Sequence, residues 1–149
     1  MTDNPLGDYK PKQVVKAKKR MAKIPFRKET VVPLEESEQM AFIQYLQYKK
    51  IDYFAVPNSN ALSSLNKLMA VKVMAKMKKV GLVSGVSDLV VMLNHKILFI
   101  EMKRIKGGTV SNNQKKFLKM VDKYSYAEGF VAYGCKGAIE IVERELENE

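Results

Sequence analysis

The apolar residues change rhythm along the chain, and each change marks an element. "EESEQMAFIQYLQYKK", residues 35–50, places Met40, Ile43, Leu46 and Gln47 on one side with Phe42 and Tyr45 beside them. That is helical spacing, opened by acids and closed by lysines as the helix dipole favours. "IDYFAVPN" is rich in aromatic and branched residues and stops at Pro57, which predicts a short strand. Residues 61–79 return to a helical period, with the methionines inward, Lys72, Lys76 and Lys79 outward, and Gly81 to end the helix. "GVSDLVVMLNHKILFIEMKR", residues 85–104, gives two strands. "TVSNNQKKFLKMVDKYSYAEG" opens on capping residues and spaces Phe117, Met120, Val121 and Tyr124 at helical intervals. "FVAYG" is a fourth strand and "AIEIVERELENE" an acid-rich last helix. The order α-β-α-β-β-α-β-α predicts an α/β fold, a mixed sheet with helices on its faces.

Charge adds a second picture. The chain has 149 residues and a net charge of +10, enough length for one core and enough surplus to attract polyanions. Nucleic acid leads on charge alone, although an acidic lipid surface or protein would give the same signal. Residues 10–28 hold nine Lys or Arg and no acid. Residues 1–32 therefore read as a basic, partly disordered arm in which Lys16, Lys18, Lys19 and Arg20 hold phosphates, and residues 33–149 as the folded domain. No apolar run approaches the ~18 residues of a membrane span, and the N-terminus has no secretory pattern. Cys135 is the single cysteine, so neither an internal disulfide nor a cysteine zinc site can form. A reducing cytoplasm fits that usage.

The strands of residues 85–104 carry charges that an apolar core would exclude. Alternation puts Asp88 on one side with Val90 and Met92, and Glu101 on one side with Lys103. Asn94 and His95 make a natural two-residue turn. Counting outward from that turn sets Asp88 directly opposite Glu101, with Cβ atoms roughly 4.5–5.5 Å apart, where like charges repel. A hard cation between them, Mg²⁺ or Mn²⁺, would make sense of the pair. Lys103 beside it could orient or deprotonate a water, or stabilise charge on a phosphate. Equally, Asp88 could cap a turn and Glu101 could simply pair with Lys103; spacing leaves both open.

"SD" followed after twelve residues by "EMK" looks like the PD-(D/E)xK nuclease motif, with Ser87 where Pro is usual. "KKVGLVSGVSDLVVM", "ILFIEMKR" and "SNNQKKFL" in that order resemble the VRR-NUC family, particularly its small stand-alone phage and bacterial members. "SEQMAFIQYL" and "YFAVPNSN" extend the likeness over residues 35–147. The resemblance implies a restriction-endonuclease-like sheet. It implies metal ligation by Asp88, Glu101 and the Met102 backbone carbonyl, catalysis by Lys103, and a role for Gln114 at the metal site or the DNA backbone. Glu38 would be the first-helix acid, holding a metal directly or through water, with Glu35 and Glu36 as rivals. Asn58, Asn60, Arg104 and Lys106 would lie along the DNA. A metal-dependent, structure-specific DNA endonuclease acting on Holliday junctions or other branched DNA as a homodimer, in a bacterial cell or phage-infected host, is the activity implied. A non-catalytic nucleic-acid-binding module, or a nuclease of linear DNA or RNA, is the alternative.

Other candidates carry less. His95, the only histidine, reads as a turn residue, and Cys135 has no histidine near it in sequence. "KGG" at 106–108 lacks the spacing of a phosphate-binding loop and reads as a flexible segment at the mouth of the site.

Overall fold

Leu89, Val91, Leu98, Ile100 and Met102 point to one side of two neighbouring strands, and burying that side organises the molecule. The structure, a computed structural model, describes residues 12–13, 32–56 and 66–148. Its elements in chain order are β1 (Lys12–Gln13), α1 (Glu35–Lys49), β2 (Asp52–Ala55), α2 (Lys67–Lys79), β3 (Leu89–Met92), β4 (Ile97–Lys103), α3 (Asn112–Val121), β5 (Ala127–Tyr133) and α4 (Gly134–Glu147). The strands form one mixed sheet in the order β1-β5-β4-β3-β2. β2, β3 and β4 run antiparallel in turn, while β5 is parallel to both β4 and β1. From α1 onward the order is the one the apolar pattern predicts. The addition is β1, two residues inside the basic N-terminal stretch that pair with Phe130 and Val131 at the sheet edge.

Helices cover both faces. α1 and α4 pack on the side of Leu98, Ile100 and Met102, through Phe42, Leu46, Ala138, Ile141 and Val142. On the opposite side α3 sets Phe117 and Val121 against Phe99 and Ala127, with the Phe99 and Phe117 rings edge to face at 5.5 Å. β4 therefore presents an apolar row to one layer, and Phe99, Glu101 and Lys103 to the other.

Three helical faces differ from expectation. In α1 the buried residues are Phe42 and Leu46, while Met40 is exposed, because α4 meets the helix along the Phe42 line. α2 buries none of its residues, so its methionines are not core; Leu68, Met69 and Val71 are exposed beside the lysines. In α3 Phe117, Leu118 and Val121 face inward, whereas Met120, and Tyr124 just past the helix end, which the spacing expects inside, face out. Apolar residues occur on several sides of each of these helices, and the neighbouring layer selects among them.

Candidate functional site

The turn between β3 and β4 has two residues, closed by the Leu93 N–H donating to the Lys96 carbonyl at 2.8 Å. Leu89 then pairs with Ile100 at the end of the ladder, and Asp88, the next residue outward, lies close enough to Glu101 for its charge to act on that carboxyl. Both carboxylates are buried, Asp88 at 4 % and Glu101 at 1 % exposure, and Lys103 is buried with them at 7 %. Asp88 Oδ2 accepts the Met102 backbone N–H at 2.8 Å, so the aspartate both belongs to the site and fastens β4 to the approach of β3. Lys103 Nζ donates to Glu101 Oε1 at 2.5 Å. The pairing that Lys103 makes with Glu101 and the facing position of Asp88 thus coexist; neither excludes the other.

Gln114 completes the cluster through helix capping. Ser111 caps α3, its hydroxyl accepting the Gln114 N–H, while Gln114 Oε1 accepts the Ser111 N–H at 2.7 Å. That reciprocal box fixes the amide, and its Nε2 donates to Glu101 Oε1. The neighbouring Gly85 carries φ +85° and lies against the same helix start; a Cβ there would stand 2.3 Å from the Asn113 carbonyl carbon. Only glycine lets the segment leading to Asp88 pass this close to α3.

These groups line one cavity of about 400 Å³, with Glu35, Asp88, Glu101, Lys103, Ser111 and Gln114 as its polar wall. Glu101 Oε2, by contrast, is buried with no hydrogen-bond partner. Burial, then the Asp88 charge, push the Glu101 carboxyl up to about 7 against the opposing pull of Lys103. Burial works to lower the Lys103 pKa, but the Glu101 hydrogen bond and the charges of Glu101, Glu35 and Asp88 hold it above its ordinary value. Lys103 is therefore an ammonium, suited to holding an anion in place.

Other predicted positions fall elsewhere. Glu38 is not brought into the cavity. Its Oε2 accepts the Cys135 N–H at 2.6 Å, at the start of α4, where the unpaired amides of a helix N-terminus favour a carboxylate. Glu35, one turn earlier, is the α1 acid that lines the cavity. Arg104 and Lys106 are exposed on the loop after β4 and do not line it. Met102 lies in the core with its N–H held by Asp88. Lys16, Lys18, Lys19, Arg20, Asn58 and Asn60 lie outside the described residues. Sequence reasoning placed capping residues at the start of α3 but missed Ser111 as part of the site, and it missed Gly85. The Ser-x-x-Gln spacing at 111–114 is a capping-box signature that could have found the first.

Among the described residues no three His, Cys, Asp or Glu side chains gather tightly enough to hold a metal by themselves. The site still fits a hard divalent ion of the Mg²⁺ type, which takes one or two carboxylates and completes its shell with water and phosphate. Two facing carboxylates, one with an orphaned buried oxygen, are such a donor set.

An acid pair and a lysine thus gather at one end of a mixed α/β sheet, beside a helix that delivers a glutamine. The chain belongs to the VRR-NUC domain family, whose model matches residues 34–138. Its fold is similar to that of a solved structure described as a VRR_NUC domain protein, with a TM-score of 0.60 and 19% identity over 76% of this chain and 88% of that one. No match was found among the curated proteins. Nucleases of this family generally use divalent metals. No helix among the described residues is long and apolar enough to cross a membrane.

Proposed function

We propose that the protein is a metal-dependent, structure-specific DNA endonuclease that hydrolyses phosphodiesters in Holliday junctions or other branched DNA. The observation that carries this reading is the buried Asp88–Glu101 pair, facing across two strands with one Glu101 oxygen unpartnered. Asp88, Glu101 and the Met102 carbonyl would hold Mg²⁺ or Mn²⁺, which when bound supplies Lewis-acid stabilisation of the phosphate. Lys103, as an ammonium beside Glu101, would position the scissile phosphate and balance charge gathering on its oxygens. Gln114, locked by its capping box, would keep Glu101 oriented and leave the second carboxylate oxygen directed at the metal. The basic arm, Asn58, Asn60, Arg104 and Lys106 would contact the DNA backbone, so binding should weaken steeply with salt. A homodimer would place one such site on each of two strands. The cytoplasm of a bacterial cell or phage-infected host would be its place of action.

Cleavage of labelled four-way junction, flap, linear duplex, single-stranded DNA and RNA in Mg²⁺, Mn²⁺ or EDTA tests the proposal, with Asp88→Asn and Lys103→Ala alongside. The expected result is metal-dependent cutting of the branched substrates, lost in both variants. Salt-sensitive binding without cutting in any metal would sink it in favour of a binding module.

A further inference from the structure

Basic charge is distributed unevenly across the sheet. α4 carries Glu140, Glu143, Glu145 and Glu147 against Lys136 and Arg144, and α1 opens with Glu35, Glu36 and Glu38. α3, on the site's side, carries Lys115, Lys116 and Lys119 and no acid. Residues 102–121 as a whole hold six Lys or Arg and no Asp or Glu. Because Gln114, Phe117, Leu118 and Val121 face inward, Lys116, Lys119 and, just past the helix end, Lys123 fall on the outward side. That row starts beside the cavity and leads away from it over the roughly 15 Å of a ten-residue helix.

At its far end stand two tyrosines. Tyr124 is 50% and Tyr126 58% exposed, and their rings lie 5.6 Å apart at a 40° tilt. Met120, on the same helix, is exposed as well. The nearby acids are engaged elsewhere: Asp122 Oδ1 accepts the Gly129 N–H at 2.9 Å, and Glu128 pairs with Lys96 at 2.8 Å. A line of cations that tracks a phosphate backbone and ends in open aromatic faces is the chemistry of a single-strand binding platform, where bases stack on rings and lysines hold phosphates.

We infer that the outer face of α3 with the Tyr124–Tyr126 pair binds an unpaired strand of the DNA substrate, a few nucleotides from the bond in the cavity. This rests on the nuclease reading for its placement relative to the cut, but not for the binding itself. It makes the ring pair a determinant of substrate choice, favouring DNA that has unpaired bases next to a duplex.

The test is fluorescence anisotropy of the full-length protein in EDTA. The probes are a blunt duplex, a duplex of equal phosphate count with a single-stranded overhang, and an RNA version of that overhang. The Tyr124→Ala/Tyr126→Ala double variant is expected to weaken overhang binding about tenfold, the scale of a lost base stack, with blunt duplex within about twofold. Tyr124→Phe/Tyr126→Phe should bind as the unaltered protein does. Lys116→Ser and Lys119→Ser should each flatten the salt dependence on the overhang by about 0.7 in log–log slope. Equal RNA and DNA overhang binding also supports a stacking platform, since rings do not read the sugar. Unchanged overhang binding by the double variant overturns the inference, as does an equal loss on both DNAs. A changed oligomeric state with unchanged DNA binding also overturns it, by assigning the rings to a protein contact. Parallel cleavage reactions in Mn²⁺ separate this from the nuclease reading. No cutting of any DNA with the tyrosine effect intact discards the nuclease and leaves the platform; cutting with no tyrosine effect does the reverse.

Discussion

Replacing Lys103 with Met asks whether the buried ammonium is what makes an ionised Glu101 tolerable. Burial first, and Asp88 second, raise the Glu101 carboxyl from 4.5 to about 7 even though Lys103 opposes them. A group whose pKa rises on folding adds stability below its unfolded pKa, and that stability is lost as pH climbs through the folded value. In the metal-free protein the window for Glu101 is therefore 4.5 to about 7. Above it, keeping Glu101 ionised and buried costs about 3 kcal/mol, at ~1.4 kcal/mol per pKa unit. Without the ammonium the carboxyl moves higher still, and the variant keeps a proton that the unaltered protein gives up. The added cost is then small at pH 6 and grows above pH 7 by up to ~1.4 kcal/mol per pH unit, until the variant's own carboxyl ionises, over a constant packing difference. Urea unfolding in EDTA at those pH values, followed by far-UV circular dichroism because the chain has no Trp, reads this directly. A stability difference that stays flat between pH 6 and pH 9 would refute the reasoning, since it would mean Lys103 does not hold the Glu101 charge.

Other substitutions probe the groups that position this cluster. Gln114→Glu sets a third carboxylate against Glu101 in place of an N–H donor, and should cost about 2 kcal/mol of metal-free stability at pH 8 by urea titration. Gly85→Ala meets both a positive φ and the backbone of Asn113, so a loss of about 2–4 kcal/mol is expected, together with slowed cutting as the α3 start shifts. Glu35→Gln and Glu38→Gln form a contrast. The first alters the cavity wall and should slow cutting at unchanged stability. The second should instead lower stability by about 1 kcal/mol by weakening the charge at the α4 N-terminus.

The hairpin was the most legible part of the sequence because two independent constraints agreed there. Strict alternation assigned the faces, and a two-residue turn at Asn94–His95 fixed the register, so the opposition of Asp88 and Glu101 followed by counting. Helices carried no such double constraint. α1 has Met40, Phe42, Ile43, Tyr45 and Leu46 spread around much of its circumference, and only the position of α4 decides that Phe42 and Leu46 are the buried pair. α2 alternates methionine with lysine in a pattern that suits a core helix, yet among the described residues none of its side chains is buried. The pairing of Lys12–Gln13 with β5 was unreadable for a different reason: its partner lies more than a hundred residues away, and nothing in a basic stretch signals a strand.

The first-helix acid shows the same limit at the scale of one turn. Glu35 and Glu38 sit three residues apart on nearly the same side of α1, separated by a rise of about 4.5 Å along the axis. Sequence offers no way to choose between them, since both are first-turn acids and both suit the helix dipole. What separates them is Cys135, 97 residues downstream, whose N–H lies at the start of α4 and needs an acceptor. Glu38 meets that need, and Glu35 lines the cavity with Lys103, close enough for its charge to help hold the ammonium. The sheet sets this arrangement. β5 delivers α4 over the face opposite the site, where Glu38 accepts its Cys135 N–H, and Glu35 is left to line the cavity.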